Sequence, residues 1–121
     1  MKQQLFLGRE IFFKISCPGL QRDVILYEHT WYGHIMTEHP KMDGRRPLVE
    51  QVVKNLKSAD IFQYTTSAPE ECFTEFNCVH FRPFNDYLRV AFKVLDKTTA
   101  LVTSAYNADK STMGVKNYVA S

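Results

Sequence analysis

Residues Tyr87-Leu88-Arg89-Val90-Ala91-Phe92-Lys93-Val94-Leu95 alternate in character. Leu88, Val90, Phe92 and Val94 share one face of an extended chain, while Arg89 and Lys93 share the other, either side of the small Ala91. One buried face and one wet face mark a strand of a sheet covered on one side. Asp96-Lys97 then reads as a tight turn into a last strand, Thr99 to Tyr106. Upstream, Phe73 to Arg82 is aromatic and β-branched enough for a strand closed by the turn Pro83-Phe84-Asn85-Asp86. Before it lie a turn-rich Thr65 to Glu71 and a short extended piece, Asp60-Ile61-Phe62-Gln63-Tyr64.

Further back, Pro47 to Lys57 places Leu48, Val49, Val52, Val53 and Leu56 at helical spacing, with Glu50, Gln51, Lys54 and Lys57 opposite and Pro47 in the first turn. Trp31 to Pro40 is expected to hold one or two helical turns, capped by Thr30 and ended near His39 by Pro40. Arg9 to Ser16 reads as a first strand, with Ile11, Phe13 and Ile15 on one face and Glu10, Phe12 and Lys14 on the other, closed by Cys17-Pro18-Gly19. Val24 to Thr30 is its expected partner. The order β-β-α-α-β-β-β-β predicts an α+β domain: two N-terminal strands and two helices packed on a mostly antiparallel four-stranded sheet. Residues 1–106 are expected to form this single α+β domain, and 107–121 read as a polar tail.

Composition agrees. The 121 residues are 45% hydrophobic and 23% charged, which suits one globular domain and excludes disordered, collagen-like and coiled-coil classes. A chain of this size buries roughly two-thirds of its unfolded surface, enough to fold without metal or disulfide staples. A formal charge of +2 is too mild to name a nucleic-acid partner by itself. Cys17, Cys72 and Cys78 are odd in number and form no CxxC pair, which argues against a disulfide framework or zinc knuckle and for a reducing compartment. Leu5, Phe6 and Leu7 are too few for the apolar core of a signal peptide, and no apolar run approaches the ~20 residues of a membrane span. The expectation is a soluble cytoplasmic protein with no membrane partner, complete from Met1.

The chemistry-bearing residues are few. His34 and His39 sit in the helical segment, Arg89 and Lys93 on the polar face of the penultimate strand, and His80 and Arg82 on one face of the strand before it. In the last strand, alternation sets Thr103 on one face and Ser104 with Tyr106 on the other. No acidic cluster accompanies them, and Trp31 offers a ring for core packing or base stacking. Such a set suits metal-independent cleavage of a phosphodiester, because His transfers protons near neutral pH while Arg or Lys stabilises transition-state charge. RNA brings its own nucleophile, the 2′-hydroxyl. Each side chain also has an ordinary use: His39 beside Pro40 as a helix-end group, Arg89 and Lys93 as a solvated strand face, Thr103 and Ser104 as strand hydroxyls. A metal on His29, His34 and His39 is disfavoured, since i, i+5 spacing turns 34 and 39 about 140° apart on an α-helix. No cofactor is expected.

The stretch His34-Ile35-Met36-Thr37-Glu38-His39-Pro40, the amphipathic helix after it, the Asp60-Ile61 strand, the strand Tyr87 to Val94 and the closing Val102-Thr103-Ser104-Ala105-Tyr106 together resemble the nuclease-like domains of phage and polymorphic toxins. Those domains belong to the barnase/EndoU/colicin/RelE-like superfamily, and the resemblance covers about residues 24–106. It implies an α+β fold of helices followed by an antiparallel sheet, ribonuclease activity yielding a 2′,3′-cyclic phosphate, and a protein inhibitor or antitoxin. It implicates His34, His39, Lys93, Thr103 and Tyr106 in catalysis. The chain departs from the pattern twice: Lys41 follows His39-Pro40 where an acidic residue is usual, and Ser104 is inserted before Ala105-Tyr106. The insertion sets Thr103 and Tyr106 on opposite faces unless a bulge intervenes.

The expected function is therefore a small metal-independent ribonuclease acting on RNA, such as tRNA or another structured RNA with loops whose bases splay out. His34 is the expected base, His39 or Tyr106 the acid or donor, and Arg89 with Lys93 the phosphate clamp. Arg82, His80, Ser104 and Trp31 complete the expected substrate contacts. An acidic inhibitor is the expected protein partner. The rival is a non-catalytic RNA- or protein-binding module on the same fold. An enzyme of small nucleotides is disfavoured because no Gly-rich phosphate loop is present.

Overall fold

A computed structural model describes residues 5–65, 67–77 and 87–108. Its centre is one seven-stranded sheet in the order β1-β2-β3-β7-β6-β5-β4. The strands are β1 (Leu5–Phe6), β2 (Arg9–Cys17), β3 (Arg22–Tyr27), β4 (Phe62–Thr65), β5 (Ala68–Asn77), β6 (Tyr87–Val94) and β7 (Thr99–Ala108). The α+β class holds, but the expected four-stranded sheet is corrected to seven strands. The N-terminal strands join the same sheet instead of packing on it, because β3 pairs with β7 through Asp23↔Thr99, Val24↔Ala100 and Ile25↔Leu101. That junction is parallel, while the other pairings are antiparallel.

Short-range chemistry explains the additional strand pairings. Leu7 and Gly8 both take positive φ, 51° and 80°, in the loop closed by the pair Phe6↔Arg9, so a two-residue turn of the type that matches strand twist creates the β1–β2 hairpin. β5 starts at Ala68, inside the segment read as turn-rich, and pairs with β4 from there. The predicted continuation of β5 through Cys78, His80 and Arg82 to the Pro83 turn lies outside the described residues. β7 runs two residues past Tyr106, into the expected tail.

The helical part begins earlier than expected. α1 (Glu28–Thr30) follows β3 directly, so Thr30 lies within a helix and does not cap one. A π-helical turn over Trp31–Ile35 connects it to α2 (Met36–Glu38), with the Met36 amide donating to the Trp31 carbonyl. His39 leaves helical geometry at φ −134° and ψ 73°, as a residue before proline must, and a 3-10 turn occupies Pro40–Met42. α3 (Arg46–Asn55) carries Pro47 in its first turn. Among the described residues no helix is long and apolar enough to cross a membrane.

The helices cover one face of the sheet. Trp31, Ile35, Met42, Val49, Val53 and Leu56 pack against Val24, Leu26, Leu88, Val90, Phe92 and Val102 in the main core. On the other face Ile11, Ile25 and Tyr27 form a smaller cluster with Phe6 and Leu101. β2 contributes to both, which corrects the expectation that Ile11, Phe13 and Ile15 share a face. The register jumps from Ile11↔Tyr27 to Phe13↔Leu26, and the extra residue, Phe12, reverses the alternation. Phe12 packs between the Trp31 and Tyr32 rings, and the Arg46 guanidinium lies 4.4 Å from its centroid.

Two polar devices secure the sheet ends. Asp96 Oδ1 accepts from the Thr98 and Thr99 amides and the Thr98 hydroxyl, which depresses its carboxyl pKa and closes the β6–β7 turn. Buried Arg22 donates to the Asp96 carbonyl at 2.6 Å and to the Leu20 carbonyl at 3.0 Å, tying that turn to the start of β3.

Candidate functional site

A second bulge shapes the candidate site. β6 and β7 pair as Phe92↔Val102 and then Ala91↔Ser104, leaving Thr103 as the extra residue on β7. Val102 and Ala105 thereby both face the core, while Ser104 and Tyr106 stand opposite Ala91 and Arg89 on the other face. A bulge, the condition under which Thr103 and Tyr106 need not fall on opposite faces, is present, and Thr103 is its extra residue. Tyr106 is directly across from Arg89.

β3 pairs with β7 only as far as Ile25↔Leu101 and then turns into α1, so helical residues flank the later part of β7. His39 consequently lies nearly parallel to Tyr106, with ring centroids 5.0 Å apart at 27°. His34 meets His39 edge-on, with centroids 6.4 Å apart at 88°. The α-helical angle of about 140° between these histidines does not apply, because a π turn and a break in the helix separate them. The Thr37 hydroxyl donates to the Tyr32 carbonyl at 3.0 Å and braces the widened turn.

Arg89 completes the group. Its guanidinium donates to Tyr106 Oη at 3.1 Å, sits 3.5 Å from Glu75 Oε2, and lies over the Phe73 and Tyr106 rings at 4.8 and 5.5 Å. Its side chain is 12% exposed and that of Glu75 7%, so the expectation of a wet strand face fails here. The cause is the aromatic cover from β4 and β5: Tyr64 packs on Phe73 at 4.7 Å and its hydroxyl lies 3.4 Å from Tyr106 Oη. Burial raises the Tyr64 phenol above its ordinary pKa, and the contact with Tyr106 adds to the shift. Burial opposes the Arg89 charge, but the Tyr106 hydrogen bond and the charges of Tyr106 and Glu75 outweigh it and raise the pKa.

The structure thus gathers His34, His39, Arg89 and Tyr106. It does not gather the rest. Lys93 is exposed, four residues along β6 from Arg89, roughly 13 Å at strand rise, opposite Glu71 and Leu101. Thr103 is the exposed bulge residue, and half-buried Ser104 lies two residues before Tyr106 on its face. Trp31 is 5% exposed within the core, so its ring is not open to a base. His80 and Arg82 lie outside the described residues.

Sequence reasoning missed Tyr64 and Glu75. Glu75 had a signal, since it alternates with Phe73 and pairs by charge with Arg89 once the two strands are aligned. Tyr64 had only its alternation with Phe62. Beside Glu75, Gln51, Asn55, Asp60 and Thr74 line a cleft of about 340 Å³ floored by Val52 and Leu56. Among the described residues no three His, Cys, Asp or Glu side chains come together as metal ligands. Compared with protein-family models, curated proteins and solved structures, the chain finds no significant match in any of the three.

Proposed function

We propose that the protein is a small metal-independent ribonuclease of the toxin or phage-effector type. The observation that carries this reading is the convergence of His34, His39, Tyr106 and Arg89 from a helical segment and two strands. His34, exposed, takes the proton of an RNA 2′-hydroxyl as its oxygen attacks phosphorus. His39 or Tyr106 supplies a proton to the departing 5′-oxygen, and a 2′,3′-cyclic phosphate remains. Arg89 acts on developing charge through Tyr106, since its guanidinium is largely enclosed. The resemblance of residues 24–106 to nuclease-like toxin domains supports the same reading and adds an acidic inhibitor as partner, for which co-purification is the check.

Incubation of the purified protein with total RNA in EDTA, beside His34→Ala, tests the proposal. Fragments ending in a 2′,3′-cyclic phosphate from the wild type alone are the expected result. Intact RNA in both, with folded protein, overturns it. The Arg89–Glu75 ion pair favours a second reading, a non-catalytic RNA- or protein-binding module, because it neutralises the one cation within the cluster of described side chains. RNA binding that weakens steeply with salt while the RNA stays intact is its signature.

A further inference from the structure

A phenol oxygen donates one hydrogen bond and accepts up to two. Arg89 has no acceptor, so in the 3.1 Å contact Tyr106 Oη must accept. The second neighbour of that oxygen is the Tyr64 hydroxyl at 3.4 Å. Tyr64 is half-buried against Phe73, and among the described residues Tyr106 is its hydroxyl's one hydrogen-bond partner. A half-buried O–H that spends its proton elsewhere loses that bond, so the favoured direction runs from Tyr64 to Tyr106. Tyr106 Oη then accepts from both sides and keeps its own proton free.

We infer that Tyr64 is a positioning residue for Tyr106: its hydroxyl, with the Arg89 guanidinium, fills the acceptor sites of Tyr106 Oη and turns the Tyr106 proton outward as the acid. The chemistry rests on the ribonuclease reading, whereas the pairing rests on β4, β6 and β7 alone. In that chemistry the 2′-hydroxyl proton passes to His34 as the 2′-oxygen bonds to phosphorus. The Tyr106 proton passes to the 5′-oxygen as the phosphorus–oxygen bond breaks. The phenolate left behind is held by the Arg89 and Tyr64 donors until solvent returns a proton to it and takes one from His34. His39, stacked on the Tyr106 ring, is a second positioning group in this scheme.

The titratable groups facing the pair are Arg89 from β6, Glu75 from β5, and His39 with His34 beyond it from the helical segment; Cys72 lies near it on the opposite, core face of β5. The test is the ¹³Cζ-tyrosine NMR spectrum of the full chain at neutral pH, with Tyr106→Phe to assign the signal and Tyr64→Phe as the probe. Tyr64→Phe keeps the ring on Phe73, and circular dichroism checks its fold. Loss of the Tyr64 donor is expected to move the Tyr106 resonance and to lower kcat about tenfold with KM unchanged. An unmoved Tyr106 resonance, or an unchanged kcat where RNA is cleaved, overturns the inference. A moved resonance with RNA left intact by the wild type sustains the pairing and defeats the ribonuclease reading instead.

Discussion

His39 lies almost flat on Tyr106, 5.0 Å from centroid to centroid, and this contact joins the helical segment to the far end of β7. Two functions meet in one stack. His39→Ala removes a ring pair worth about 0.5–1.5 kcal/mol, whereas Tyr106→Phe keeps the stack and deletes only the hydroxyl. Tyr106→Phe takes the shared acceptor away from the Arg89 and Tyr64 donors, so it should cost about 1–3 kcal/mol and cleave RNA about two to four decades more slowly, while His39→Ala should lose the stacking energy and some rate. Thermal unfolding and cyclic-phosphate formation, measured on both variants, separate the two effects.

Gly19, in the turn after β2, is packed against the chain beyond α3. A Cβ there would stand 2.8 Å from the Lys57 carbonyl carbon and 2.9 Å from the Leu56 carbonyl oxygen, both backbone atoms that cannot rotate away. Gly19→Ala is expected to cost about 1–3 kcal/mol as overpacking. A urea midpoint lowered at constant m-value is the confirming result; an unchanged midpoint refutes it.

Leu7 holds φ at 51° while 79% exposed, so the side chain gains little from packing in a backbone region that leucine disfavours. Leu7→Asn converts the β1–β2 turn to Asn-Gly, the favoured pair for two positive φ angles. Stability should rise by roughly 0.5–1 kcal/mol, read as a higher denaturant midpoint.

Burial pushes the Cys72 thiol up to about 12, and the Cys17 thiol is raised in the same direction by burial. A raised pKa favours the protonated folded form, so this contribution is complete below the ordinary thiol value of 9.0 and is lost as pH climbs from there toward 12. Urea midpoints should fall between pH 9 and 11. Cys72→Val, of similar volume and without a proton to lose, should flatten that slope; an equal slope in the variant would show that the thiol does not titrate with unfolding.

The period-two reading of Leu88, Val90 and Phe92 located β6 and its core face, because alternation reports directly which side is apolar. It could not tell that the Arg89 side is covered too, since Tyr64 and Phe73 reach it from strands whose order in the sheet is a long-range property. Phe12 and Thr103 each insert a residue into one strand; the jump at Phe12 leaves no local signature, and at Thr103 the inserted Ser104 was the one hint of it. β1 escaped notice for a different reason: it is two residues long and its turn uses a leucine where asparagine or glycine is the usual sign. His34, His39, Arg89 and Tyr106 were legible as chemistry-bearing types. Their meeting depended on the π turn and on where β3 stops pairing with β7, neither of which hydrophobic spacing encodes.

The three-pair seam between β3 and β7 also governs how the chain assembles. On one side of it β1 to β3 are hairpin-linked neighbours, and on the other β4 to β7 follow one another as a meander. Each ladder can zip locally, but Val24 and Ala100 meet only after the whole intervening chain has been drawn in. Folding speed should accordingly be limited by this long loop closure, with the two ladders forming early and docking late. Destabilising changes at Val24 or Ala100 should then slow refolding, because the seam forms in the rate-limiting step, as should weakening of the β6–β7 turn that forms before it.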